Sequence, residues 1–153
     1  MSPRVGVGYD SHRFAEGRRL VLGGVEIPHE LGLAGHSDAD VVAHAITDAV
    51  LGAAGLGDIG QHFPPDDERW RDADSVELLR TAVAMVPGAV TNVDATVICE
   101  RPRLGEYRAG MERILAEATG SPVSVKATTN EGMGWIGRGE GIACIAVAIV
   151  DVE

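Results

Sequence analysis

Ile142-Ala143-Cys144-Ile145-Ala146-Val147-Ala148-Ile149-Val150 is apolar at every position, and its reading decides the fold. The run falls well short of the roughly 20 residues a membrane span needs, so it reads as a strand. A strand apolar on both faces wants cover on both sides. In a chain of 153 residues, helices can cover one face and another subunit the other. Outward from this strand the pattern alternates. A glycine-rich loop, Gly132 to Gly141, precedes it. Val123 to Ala127 reads as a short strand, Gly105 to Ala118 as a helix ending near Gly120, and Asn92 to Cys99 as an alternating strand. Asp74 and Glu77 form a capping signature for a helix to about Met85. Gly55 to Asp72 is a loop rich in Gly, Pro and Asp. Ser37-Asp38-Ala39-Asp40 resembles a capping box for a helix to about Ala54. Val5 to Tyr9 reads as a strand. Arg19–Leu22 and Val25–Pro28 flank Gly23-Gly24 as a hairpin. The expectation is one α+β domain over residues 1–153, in two layers, with helices on one face of a sheet.

Composition narrows the function. The formal charge is −10, from 13 basic and 23 acidic residues. That balance argues against nucleic acid, whose phosphates need a basic footprint. It also sets a tension with any phosphorylated substrate, which metal ions and placed arginines would have to resolve. Lys126 is the single lysine; the other twelve basic residues are arginines, suited to bidentate contact with phosphate or carboxylate. Cys99 and Cys144 sit in apolar runs and read as reduced core residues. Met1-Ser2-Pro3-Arg4 shows no secretory pattern, and the expectation is a soluble cytoplasmic protein without a membrane partner.

Several short stretches carry chemistry. On a strand, Asp10 and His12 project to one side with Cα atoms roughly 6–7 Å apart. They form part of a zinc site or merely a polar strand end. On the following helix Asp40, His44 and Asp48 share a face. Asp10, His12 and His44 together would leave a fourth position open, as catalytic zinc sites do; spacing alone does not make them converge. His36-Ser37 offers an imidazole, a hydroxyl and helix N-terminal amides to an anion, or Ser37 is an ordinary cap. Gly57-Asp58-Ile59-Gly60 either holds a diol or turns the chain. Thr128-Thr129-Asn130-Glu131, followed by the glycine loop and Arg138, suits a phosphate with its magnesium ion, or a plain hairpin loop. Arg101-Pro102-Arg103-Leu104-Gly105 could hold a phosphate or nucleotide, or form a strand-to-helix turn.

Taken in order, the motifs are no longer independent. Asp10-Ser11-His12-Arg13-Phe14, Gly35-His36-Ser37-Asp38-Ala39-Asp40 with His44, Gly57-Asp58-Ile59-Gly60, His62-Phe63-Pro64, Lys126-Ala127-Thr128-Thr129 and Gly137-Arg138-Gly139-Glu140-Gly141-Ile142-Ala143 together resemble the 2-C-methyl-D-erythritol 2,4-cyclodiphosphate synthase family, over almost the whole chain. The resemblance implies a homotrimer with its sheets toward the three-fold axis and active sites between neighbouring subunits. It implies conversion of 4-diphosphocytidyl-2-C-methyl-D-erythritol 2-phosphate to the cyclic diphosphate and CMP. It places one zinc ion per site on Asp10, His12 and His44, and magnesium or manganese on Glu131. His36 and Thr129 match positions that stabilise the transition state. His36, Ser37, Asp58, Ile59 and Gly60 match contacts to the erythritol phosphate, and Asp10, Ser11, His12, Phe63 and Asp67 match further substrate contacts. Cys99 to Gly105 (with Arg101, Pro102, Arg103, Leu104 and Gly105) and Thr128, Thr129, Asn130 and Glu131 match the cytidine diphosphate side, with Trp135 and Arg138 as further contacts. Whether an isoprenoid diphosphate sits on the trimer axis is left open.

Four positions depart from the family pattern. Pro65 and Asp66 stand where Phe-Pro-Asp-Thr-Asp has aspartate and threonine in the mobile loop, and proline has no backbone donor. Arg103 stands where lysine is common, and Asn130 where threonine or serine is common. Two rival functions remain: a zinc-dependent phosphohydrolase on the same ligands, and a non-catalytic binding protein with structural zinc. The first lacks an obvious general base. The second would need a fourth Cys or His ligand, and neither Cys99 nor Cys144 has metal-type spacing.

Overall fold

The computed structural model describes residues 2–153. Strand β1 (Ser2–Ala15) and the final strand, β7 (Gly141–Val152), pair antiparallel from Ser2↔Val152 to Arg13↔Gly141. On its other edge β7 pairs antiparallel with β5 (Gly88–Ile98), and β5 pairs parallel with β6 (Val123–Thr128). With β4 (Gly32–Leu33) the five-stranded order is β4-β1-β7-β5-β6; β2 (Leu20–Leu22) and β3 (Val25–Ile27) form a separate hairpin.

The helices are α1 (Val41–Ala53), α2 (Ile59–His62), α3 (Ser75–Met85), α4 (Arg108–Thr119) and α5 (Gly134–Gly137). Ile142, Cys144, Ala146, Ala148 and Val150 of β7 point into one buried cluster with Ile46, Ala49 and Val50 of α1, Leu79 of α3, and Met111 and Leu115 of α4. The other face of β1 and β7 carries no helix. There Val5 pairs with Ile149, Val7 with Val147 and Tyr9 with Ile145. These six side chains are 36–70% exposed. The expectation of a strand with one uncovered apolar face is met.

Two glycines set the distance between the layers. A Cβ on Gly8 would lie 1.9 Å from the Ala45 carbonyl oxygen, and one on Gly6 would lie 2.1 Å from that of Ala49. Only backbone without side chains lets α1 lie this close to β1. The N-terminal half of α1 thereby comes down beside Asp10 and His12.

Several boundaries differ from the sequence expectation. β1 continues through Asp10-Ser11-His12, which lie inside the strand instead of at its end, because ladder pairing with β7 outweighs the weak strand preference of these polar residues. The cap of α1 is Asp40, not Ser37: its carboxylate accepts from Val42 N and Ala43 N. Because Asp40 already takes these amides, they are not open to an anion. Gly55 to Asp72 contains α2 and a 3-10 turn, Glu68–Trp70. The glycine loop after Gly132 contains α5. Gly105–Tyr107 is a 3-10 turn, and α4 proper begins at Arg108.

Candidate active site

Alternation along β1 sends Asp10 and His12 to the α1 side, and the glycine notch brings His44 to meet them. His12 Nε2 lies 2.8 Å from Asp10 Oδ2, His44 Nδ1 lies 3.1 Å from the same oxygen, and the two ring nitrogens are 3.3 Å apart. One carboxylate oxygen and two imidazole nitrogens thus converge within 4.8 Å of one another. Ligands of a tetrahedral zinc, with bonds near 2.0–2.2 Å, sit roughly 3.3–3.5 Å apart. The donor set fits a divalent ion with one position left for a ligand; the His12–His44 spacing of 3.3 Å lies in that range, and the two Asp10 distances, 2.8 and 3.1 Å, are hydrogen-bond lengths. Asp10 and His12 are half-buried and His44 is buried.

Backbone and side-chain partners hold the two rings. His12 Nδ1 is 2.9 Å from the Ala34 carbonyl, which can only accept, so Nε2 is the atom presented to the cluster. His44 Nε2 is 2.7 Å from Ser75 Oγ and 3.2 Å from Ser37 Oγ, which leaves Nδ1 facing Asp10. The charges respond. Burial would raise the Asp10 carboxyl, but hydrogen bonds from His12 and His44 outweigh it and hold the group down to about 2. Burial would lower His44, yet the bond to Asp10 and its charge win and raise it.

Asp40 and Asp48 of the same helix do not join the cluster. Asp40 is fully buried and ties the β2–β3 turn to α1, accepting Gly23 N and Gly24 N at 2.8 Å each. Asp48 accepts Ile59 N at 2.7 Å. Asp58 caps α2 by accepting Gln61 N, and Ile59 and Gly60 open that helix. His36 Nε2 donates to the Asp67 carbonyl at 3.0 Å, and the His36 carbonyl accepts Asp72 N at 2.8 Å. The 36–38 strap and the loop ending at Ala73 are therefore stitched together. Within that loop Phe63 is buried against Trp70, with centroids 5.0 Å apart, and Asp67 pairs with Arg69. Ser11 is exposed on β1, pointing away from the cluster.

A cleft of about 1030 Å³ lies elsewhere on the chain. Its walls include Arg101, Pro102, Arg103, Leu104 and Gly105, together with Thr128, Thr129 and Arg138. Cys99 lines it too, but burial pushes its thiol up to about 12, which leaves it unreactive. Asp10, His12, His36 and His44 are not among the walls. Phe14, the last residue of the first motif, is, and so are His29, Glu30 and Leu31, which no sequence signal marked; they arrive from β1 and the segment before β4. Asn130, Glu131 and Trp135 stand outside the walls. Glu131, at φ +55°, is exposed, and its amide donates to Thr129 Oγ1 at 3.2 Å. Glu100, within the Cys99 to Gly105 stretch, accepts Asn130 N and, at 3.2 Å, Gly132 N on its carboxylate. It pins the turn that carries Thr129 and Glu131.

A two-layer α+β chain with a three-donor cluster that could hold a metal ion at a strand–helix crossing, and a separate arginine-bearing cleft, has the make-up of an enzyme acting on a phosphorylated small molecule. The chain belongs to the YgbB family, whose model matches residues 3–151. It is 62% identical to the 2-C-methyl-D-erythritol 2,4-cyclodiphosphate synthase of Rubrobacter xylanophilus, covering 97% of this chain and 94% of that one. Among solved structures, the bifunctional IspDF from Campylobacter jejuni superimposes with a TM-score of 0.93 at 40% identity; the match covers 99% of this chain and 43% of that longer one. A CDP-bound 2C-methyl-D-erythritol-2,4-cyclodiphosphate synthase gives a TM-score of 0.88 at 37% identity, covering 97% of this chain and 100% of that one.

Proposed function

We infer that the chain converts 4-diphosphocytidyl-2-C-methyl-D-erythritol 2-phosphate into 2-C-methyl-D-erythritol 2,4-cyclodiphosphate and CMP, as a phosphorus–oxygen lyase of isoprenoid precursor synthesis. The observation that carries the reading is the three-donor cluster of Asp10, His12 and His44 in a chain so similar to synthases of that name. Zinc held by these three residues, and magnesium or manganese held by Glu131, would supply Lewis acidity at the attacked phosphate and at the leaving diphosphate.

The chain's own residues do the rest by positioning. The 2-phosphate attacks the β-phosphorus of the same molecule, so holding both ends makes attack near-unimolecular. His36, Ser37 and Asp58 to Gly60 seat the erythritol phosphate. Arg101 to Gly105, Thr128 and Thr129 seat the cytidine diphosphate. His36 and Thr129 donate hydrogen bonds to the oxygens that gain charge in the transition state. Phe63, Asp67 and the loop around them exclude water, which would otherwise compete. Arginines and metals answer the charge tension of an acidic chain with a polyanionic substrate.

The cleft and the metal cluster do not share walls within one chain, which supports a site assembled from two copies. The uncovered stripe of Val5, Val7, Tyr9, Ile145, Val147 and Ile149 supports a homotrimer with its sheets toward the axis. The same apolar lining would suit an isoprenoid diphosphate seated on that axis. No helix is long and apolar enough to cross a membrane among the described residues, in keeping with a cytoplasmic enzyme.

Phosphorus NMR of the protein with this substrate, zinc and magnesium tests the reading. A cyclic diphosphate and CMP are expected, with both suppressed in His12→Ala. CMP with a linear product would instead indicate the phosphohydrolase.

A further inference from the structure

We propose that Ser75 and Asp38 are positioning residues that fix the tautomer of His44 and so aim its Nδ1 lone pair at the metal. The proposal rests on the reading of Asp10, His12 and His44 as metal ligands. A hydroxyl beside an imidazole nitrogen can donate or accept, so Ser75 alone would not decide which nitrogen carries the proton. Asp38 decides it. An ionised carboxylate only accepts, and Asp38 Oδ1 takes the Ser75 hydroxyl in a short hydrogen bond.

The carboxylate is itself held in place. Its Oδ1 accepts Asp40 N at 3.1 Å, and its Oδ2 accepts Ser75 N at 3.1 Å. With its proton committed to Asp38, Ser75 Oγ offers only lone pairs to His44 Nε2, 2.7 Å away. Nε2 is therefore the N–H nitrogen, and in the neutral ring the lone pair sits on Nδ1, facing Asp10 and His12. Ser37 Oγ, 3.2 Å from Nε2, accepts Ala39 N and lies 3.4 Å from Ser75 Oγ. It is a second, longer contact on the same nitrogen and has no carboxylate partner to orient it.

Ser75 is fully buried, so bulk water cannot take over its role. If Ser75 lost its hydroxyl, Ser37 would be free to donate to Nε2, which favours the proton on Nδ1 and blocks the ligand atom. Outer partners of this kind are typically worth about 10–100-fold in metal affinity. The link also joins the first residue of α3 to the ligand on α1, so the metal site depends on how those two helices dock.

The test titrates zinc alone against a chromophoric chelator, using the assembled protein and its variants. Ser75→Ala is expected to weaken zinc binding about 10–100-fold, while Ser75→Thr, which restores the hydroxyl, recovers much of the loss. In zinc-loaded, ¹⁵N-histidine-labelled wild type, His44 is expected to show a slowly exchanging proton on Nε2; in Ser75→Ala that proton exchanges with water. Wild-type zinc affinity and an unchanged Nε2 proton in Ser75→Ala would overturn the proposal, even if that variant melts earlier. His44→Ala is the control. If it binds zinc as tightly as wild type, the ligand reading fails, and the proposal with it.

Discussion

Mixing two inactive variants offers a quantitative test of where the active site lies. His44→Ala removes a donor from the metal cluster. Thr129→Ala/Glu131→Ala disables the cleft side, since Thr129 lines the cleft and Glu131 follows it. Each protein alone should be nearly inactive. In a cyclic trimer each site would take its metal half from one chain and its cleft half from the next. After subunit exchange at equal concentrations, a given site has an intact metal half with probability one half, and an intact cleft half with the same probability. About one quarter of wild-type activity should return. Mixing ratios of one to three should lower the recovery to about three sixteenths by the same counting. The assay is CMP release after mild dissociation and reassembly, with each variant treated alone as the control. No recovery in mixtures that sedimentation shows to be exchanged would refute the reasoning, because it would place both halves in one chain.

Other consequences can be measured separately. Gly8→Ala would drive a methyl against the Ala45 carbonyl at 1.9 Å, so overpacking should cost about 1–3 kcal/mol or more in urea unfolding, and zinc affinity should fall as α1 moves off β1. Val7→Asp places a charge in the uncovered stripe, where Val7 is 68% exposed in the single chain; sedimentation should show subunits in place of trimers, with activity lost. Glu131→Ala should retain zinc but lose its dependence on magnesium or manganese, read as activity against metal concentration. pH should act on the metal-free protein in two directions. His44 is raised above 6.5, so its stabilising contact with Asp10 is fully present below 6.5 and lost as pH rises through the folded value. Asp10 is lowered from 3.8 to about 2, so its share is present above 3.8 and lost as pH falls toward 2. Chelator-treated protein should therefore be most stable between these limits in denaturant titrations, and His44→Ala should flatten the upper limb. The same protonation of His44 competes with zinc, so zinc affinity should weaken as pH falls.

Much of this was legible in the chain. The unbroken apolar run of β7 announced a strand with a face left over, and the six exposed side chains on β1 and β7 are that face. Two-residue alternation placed Asp10 and His12 on one side, and the helical segment carried His44. The resemblance grouped the three as zinc ligands, but spacing alone did not show their convergence. It depends on Gly6 and Gly8, whose meaning appears only when α1 is seen lying on their bare backbone. The capping box misled for a related reason. Ser37 has a cap residue's chemistry, but the amides of Gly23 and Gly24 hold Asp40 at the helix start, and these residues are 16 and 17 positions away. His29 to Leu31 carry no local pattern at all, and the turn-pinning role of Glu100 appears only in its tertiary contacts.

Turnover in ¹⁸O-enriched water, followed by mass spectrometry of both products, tests the central claim most directly. Attack by the substrate's own phosphate predicts a cyclic diphosphate and CMP that both lack the label. One labelled oxygen in a linear product or in CMP would show that water is the nucleophile, and would contradict the account.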